Sequence, residues 1–265
     1  MVMTQGDGVS ESLYLYTYNE SLTPSRGFNI GEACDMKVLI INGQNHHGST
    51  YHIGKELAEK IGGETTEFFL PKDFGEFCIG CTNCFVKGEE HCPHHEKLKP
   101  IVEALDEADV VILTSPVYVM HATGSMKAFL DHLGYRWMVH RPEEKMFKKQ
   151  GVCISTAAGA GMKSTNKDMA DSLFNWGIPK IYKYGMAVAA TGWEEVSEKK
   201  LAKIHKDMDR LATDIKNNHG KVKPGMKLKG WFMICRMIQK NGYNPLDMDY
   251  WKQKGWTEGN RPWKD

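Results

Sequence analysis

The chain lacks a surplus of charge: 34 Lys and Arg against 33 Asp and Glu leave a formal value of +1 over 265 residues. A protein that binds nucleic acid by neutralising phosphates needs a basic excess, so that class is excluded, and no long run of one sign stands in for it. It also lacks an apolar stretch near the ~18 residues of a membrane span. The longest candidate, Trp231 to Ile238, is broken by Arg236. The basic start and continuous apolar core of a secretion signal are missing from the first thirty-five residues. A cytoplasmic chain is the resulting expectation.

What is present begins with cysteine. Of the 7 cysteines, Cys34, Cys153 and Cys235 stand alone, whereas Cys78, Cys81, Cys84 and Cys92 crowd into one short segment. Without a secretion signal, such a set points to metal rather than to disulfide bridges.

Residues 1–35 are polar, aperiodic and rich in Ser, Thr, Gly and Asn. They are expected to form an irregular N-terminal extension, or to precede a start at Met36. From Lys37 the pattern alternates. Short apolar runs at Val38–Ile41, Asp109–Thr114 and Gly151–Thr156 have the character of strands covered on both faces. A strand with a weak start is expected at Glu64–Leu70, and a last strand at Tyr184–Ala190. Helical periods occupy Thr50–Lys60, Glu96–Ala108, Thr123–Leu133, Ser164–Trp176 and Glu194–Asn217. Parallel strands need crossover connections, so this order predicts an α/β, doubly wound, five-stranded parallel sheet in three layers over residues 36–218.

Residues 219–265 follow a Gly- and Pro-containing break at Gly220–Gly225 and carry four of the 7 tryptophans: Trp231, Trp251, Trp256 and Trp263. Too short to fold alone, this stretch is expected to form a helical extension packed on the main domain or on a partner subunit.

In open parallel sheets, ligands sit beyond the carboxyl ends of the strands. The first strand-end loop, Asn42–Thr50, combines glycines, the hydroxyls of Ser49 and Thr50, and a helix N-terminus, which together suit a phosphate. The loop has neither the Gly-Lys-Ser/Thr ending of a nucleotide loop nor a G-x-G-x-x-G fingerprint. A plain turn capped by Ser49 fits this loop equally well. The second loop, Ser115–Lys127, opens with an apolar run suited to a flat apolar ligand, and the third, Thr156–Lys163, is small and glycine-rich.

The second loop, Ser115-Pro116-Val117-Tyr118 followed by Thr123-Gly124-Ser125-Met126-Lys127-Ala128-Phe129-Leu130-Asp131-His132, resembles the flavin-binding signature of the NAD(P)H-dependent FMN reductases of flavodoxin-like fold. The third loop and the Asp249–Trp256 segment are similar to the same family, so the resemblance spans residues 36–256. It implies FMN held by Gln44, His46, Ser49 and Thr50 at the phosphate, by Pro116, Val117, Tyr118 and Val119 along the ring edge, and by Thr156, Ala157, Gly159, Ala160 and Gly161 on the far side. It implies no catalytic side chain, since FMN carries the chemistry, with NAD(P)H as co-substrate. Members often carry Ser-Pro-Arg or Ser-Pro-Lys in the first loop. Here Gln44-Asn45-His46-His47 supplies no fixed cation.

The spacing Cys78-x2-Cys81-x2-Cys84-x7-Cys92-Pro93 resembles the compact motif of the iron–sulfur flavoproteins and approaches the bacterial ferredoxin run. A [4Fe–4S] cluster, zinc (with His91, His94 or His95 in place of a thiolate) and reduced free thiols are the alternatives. The expected function is an FMN-dependent NAD(P)H oxidoreductase passing electrons to a quinone, nitroaromatic, flavin or iron–sulfur acceptor. The resemblance also implies a homodimer. A non-catalytic flavodoxin-like electron carrier and a zinc- or thiol-based redox-sensing scaffold are the rival classes. The charge of +1 offers a carrier no acidic steering surface.

Overall fold

The fold is seen in a computed structural model that describes residues 36–264; the extension expected over residues 1–35 lies outside the described residues. In chain order the elements are β1 (Lys37–Asn42), α1 (Ser49–Ile61), β2 (Glu64–Phe69), α2 (Asn83–Val86), α3 (His95–Glu107), β3 (Val110–Pro116), α4 (Gly124–His132), β4 (Gln150–Ala157), α5 (Met162–Asn175), β5 (Lys180–Ala187), α6 (Glu198–Asn218), α7 (Met226–Lys240) and α8 (Pro245–Gln253). The strands form one sheet in the order β2-β1-β3-β4-β5, and every pairing is parallel. This is the flavodoxin-like doubly wound order.

Alternation along the strands builds two cores. Leu39, Ile41, Val111, Leu113 and Cys153 pack with Leu98 and Ile101 of α3, Met126 and Phe129 of α4, and Met169 and Leu173 of α5. On the opposite face, Val38, Ile40, Val110, Ile112, Val152 and Ile154 pack with Ile53 and Leu57 of α1 and Ile204, Met208 and Ile215 of α6. Three layers result, with α1 and α6 on one side and α3, α4 and α5 on the other.

The last strand lies earlier than the apolar pattern suggests. β5 is an edge strand whose residues are mostly half-exposed, and Lys183 projects into solvent. A search for continuous apolar residues therefore misses its start at Lys180. Its expected end, Val188–Ala190, has already left the sheet, with Ala189 at a φ of 50°.

A third apolar cluster joins Met138 and Phe147 to Leu228, Phe232 and Cys235 of α7 and to Trp251 and Trp256. Phe232 stacks edge-on or tilted against Phe147, Trp251, Trp256 and Trp263. The C-terminal helices thus dock through aromatic contacts on the segment between α4 and β4. Among the described residues, no helix is long and apolar enough to cross a membrane.

Phe232 is fully buried at the centre of these rings. Phe232→Ala is expected to cost about 3–5 kcal/mol, the usual loss for a buried Phe truncation. The denaturant midpoint, read at an unchanged m-value, checks this.

Candidate functional site

β1 and β3 are neighbours in the sheet, yet the helices that follow them, α1 and α4, cover opposite faces. The two chain exits diverge and open a crevice at the carboxyl edge. Its floor is tightly pinned. Thr114 Oγ1 donates to Asn42 Oδ1 at 2.8 Å, and Asn42 Nδ2 donates to Glu67 Oε1 at 2.8 Å. The Gly43 N–H donates to the Thr114 carbonyl at 2.7 Å, and Thr123 Oγ1 donates to the Gly43 carbonyl at 2.7 Å. Thr123 also caps α4, accepting from the Met126 N–H at 3.1 Å. A Cβ on Gly43 would stand 2.9 Å from both Thr114 O and Thr123 Oγ1, so this close approach needs glycine.

A cleft of about 230 Å³ lies above that floor. Four strand-end loops wall it: Gln44, His46, Gly48, Ser49, Thr50 and Tyr51; Pro116, Val117 and Tyr118; Thr156, Ala157 and Ala158; and Val188, Ala190 and Thr191. Of the residues expected to hold the cofactor, Gln44, His46, Ser49, Thr50, Pro116, Val117, Tyr118, Thr156 and Ala157 border the cleft, whereas Val119, Gly159, Ala160 and Gly161 do not. Sequence reasoning placed Asn42, Gly48 and Ala158 within its ligand loops without singling them out, and missed Tyr51, Thr114 and the whole fourth loop. That loop follows β5, which also ends at the carboxyl edge, and this was the available signal.

The α1 terminus is not capped by Ser49. Gly48 is the N-cap residue, no side chain caps it, and the first turn holds no acidic group. The opening N–H groups and the helix dipole therefore favour an anion. Thr50 Oγ1 hydrogen-bonds Thr156 Oγ1 and ties the first loop to the third. Among the described residues, no Lys, Arg, Asp or Glu lines the cleft, so an anion here would be held by N–H and hydroxyl donors.

The second loop makes a tight reversal. Tyr118 and His121 exchange backbone hydrogen bonds of 3.0 Å in both directions, while Val119 and Met120 take φ values of 47° and 68°. Such angles are strained, above all for β-branched Val119, and persist only where surroundings enforce them. Here Ser164 Oγ donates to the Met120 carbonyl. Asp168 Oδ2 meets His121 Nδ1 at 2.9 Å and accepts from the Ala122 N–H at 3.2 Å. Val119 stands 96% exposed at the tip. Gly161, at a φ of +96°, lies so near Val117 that a Cβ would come within 2.4 Å of its Cγ1.

The clustered cysteines lie in the connection from β2 to α3. Cys78 and Cys81 are exposed; Cys84 and Cys92 are half-buried. Burial raises the Cys84 thiol to about 11, and Cys92, Cys78 and Cys81 push it the same way while Arg141 opposes. Among the described residues, the set whose ligand atoms all lie within 4.8 Å of one another is Cys92, His94 and His132, not three of the four thiols.

Helix α8 supports this loop. Asp247, fully buried, pairs with Arg141 Nη1 and with His140 Nδ1 at 2.7 Å. Arg141 Nη2 donates to the Cys84 carbonyl, and Asn244 Nδ2 donates to the Phe85 carbonyl at 2.9 Å.

Comparison with known proteins bears on both features. Residues 36–192 match the family model described as NADPH-dependent FMN reductase. An iron–sulfur flavoprotein of Archaeoglobus fulgidus is 29% identical over 205 residues, covering 76% of this chain and 88% of that protein. One from Methanocaldococcus jannaschii is 26% identical over 201 residues, covering 70% and 100%. An NAD(P)H:quinone oxidoreductase structure from Methanothermobacter marburgensis shares the fold, with a TM-score of 0.52 at 16% identity, over 67% of this chain and 96% of that one.

Asp247→Ala removes the buried carboxylate from Arg141 and leaves it only the half-exposed Glu89 at 3.2 Å; breaking a buried pair in this way typically costs about 3–5 kcal/mol. The freed loop is expected to show faster alkylation of Cys84, read by mass spectrometry against the unchanged protein.

Proposed function

The chain belongs to the NADPH-dependent FMN reductase family, and from that premise we propose that the four-loop cleft seats FMN and that the four-thiol loop holds an iron–sulfur centre. The protein is an oxidoreductase that uses FMN and a nicotinamide nucleotide. The phosphate is held at the uncapped start of α1 by its N–H groups and by Ser49 and Thr50, with Gln44 and His46 alongside. Pro116, Val117 and Tyr118 lie along one side of the ring system and Thr156 and Ala157 along the other. FMN held there would supply hydride acceptance from NAD(P)H and onward electron delivery. The chain's own residues orient the ring, exclude water with an apolar loop and hold the phosphate without a counter-cation. The acceptor is a quinone, nitroaromatic or flavin, reached directly or through a [4Fe–4S] cluster on Cys78, Cys81, Cys84 and Cys92.

One observation carries the flavin assignment: uncharged loops from separate strands converge where the helices diverge, beside an unused helix start. For the cluster, the spread of the thiols is the support. Four sulfurs around one zinc lie about 3.8 Å apart, whereas a cubane offers each thiolate its own iron. The exposed turn at Tyr118, Val119 and Met120 suits cover by a second copy of the chain, which supports a homodimer.

Anaerobically purified protein is expected to be yellow, to hold about four irons per chain and to oxidise NAD(P)H when a quinone is added. Cys81→Ser should lose iron and keep flavin. Thr50→Val, which removes one hydrogen bond worth ~1 kcal/mol, should weaken FMN binding about fivefold. Colourless protein that refuses added FMN overturns the reading.

A further inference from the structure

Beside the thiol loop, three side chains from two distant parts of the chain meet. Cys92 and His94 precede or open α3, and His132 ends α4. Their ligand atoms all lie within 4.8 Å of one another. His132 Nδ1 donates to the Ala128 carbonyl at 2.7 Å, which leaves the Nε2 lone pair free. That lone pair faces His94 Nδ1 at 2.8 Å, and this hydrogen-bond pattern assigns the tautomers. The far nitrogen of His94, Nε2, lies 4.0 Å from Glu76 Oε2. A carbonyl behind one imidazole and a carboxylate behind the other is the support that metal-binding histidines use.

We propose that Cys92 Sγ, His94 Nδ1 and His132 Nε2 form a site for one zinc-type divalent cation, overlapping the four-thiol set at Cys92. One thiolate and two imidazoles are the donors zinc favours. With Zn–N bonds of 2.0–2.1 Å, a tetrahedral ion holds two nitrogens about 3.3 Å apart, so the ring pair needs to open by only about half an ångström. Binding releases the Cys92 proton to solvent and shifts the His94 proton from Nδ1 to Nε2, toward Glu76; nothing is oxidised. Cys92 and His132 also line a cavity of about 290 Å³ between α3 and the Gly134–Arg136 turn. Its space leaves a fourth coordination position for water or a small donor. Because Cys92 serves both sets, this ion and a cluster on the four thiols exclude one another. The three-residue site itself does not depend on the iron reading.

Cobalt(II) is the probe, added to the full chain carrying its flavin and purified in air without iron. One cobalt per chain is expected, with a sulfur-to-cobalt charge-transfer band. The Cys78→Ser/Cys81→Ser double variant, which dismantles the four-thiol set, should keep that band. His94→Ala, at a half-exposed position, should weaken binding more than about 100-fold, beyond the range for partners behind the ligands, while Glu76→Gln should weaken it about tenfold. His94→Gln, with its shape nearly kept, guards against a folding defect and should bind as poorly as His94→Ala. Cobalt lost in the double cysteine variant, or retained by the His94 variants, overturns the proposal. Iron content, measured separately, reports on the cluster alone.

Discussion

Two adjacent parallel strands whose helices must leave on opposite faces create the constraint on which this structure depends. β1 and β3 lie side by side, and the polypeptide leaving each has to turn away from the other. The gap between those exits is not an accident of loose packing. Asn42, Thr114, Gly43 and Thr123 bind its floor with side-chain and backbone hydrogen bonds. The start of α1 is aimed over that floor with no side chain to satisfy it. Polar groups left without partners at a rigid edge are a preformed demand for a ligand, and an anionic group on a flat ring system meets it.

The cysteine loop is organised on a different principle. It has little regular structure of its own, and its position comes from a buried charge on a distant helix. Asp247 neutralises Arg141, and Arg141 grips the Cys84 carbonyl. Buried ion pairs contribute little net stability, but removal of one partner is costly, so they specify arrangement more than they strengthen it. Phe77, Ile79 and Val86 are exposed among the thiols, and Tyr118, Val119 and Met120 are exposed at the mouth of the cleft. Both regions therefore present apolar skin to whatever approaches them.

The central strands were legible because β1, β3 and β4 are covered on both faces and so read as unbroken apolar runs. β5 was displaced in the reading because an edge strand half-faces water and dilutes its pattern with lysine. Thr123 was legible as a helix start because capping is a local event. Ser49 was not a cap because Gly48 already takes that position and leaves the hydroxyl facing the cleft. Asn42 and Thr114 escaped notice since their role exists only once the strands are paired. The same holds for Arg141 and Asp247, 106 residues apart, and for His132, which in sequence is one more residue on an amphipathic helix. Long-range polar contacts leave no periodic trace.

The anchorage of the cysteine loop on α8 also sets how this protein would fail. The sheet closes its cores with residues that precede Gly220, whereas the loop is suspended from a helix that follows it. A protease nick in the stretch between α6 and α7, or a fusion that drags on the carboxyl terminus, would unhook the thiols and leave the four-loop cleft standing. Damage at the tail would then free the cysteine loop before it unfolded the sheet.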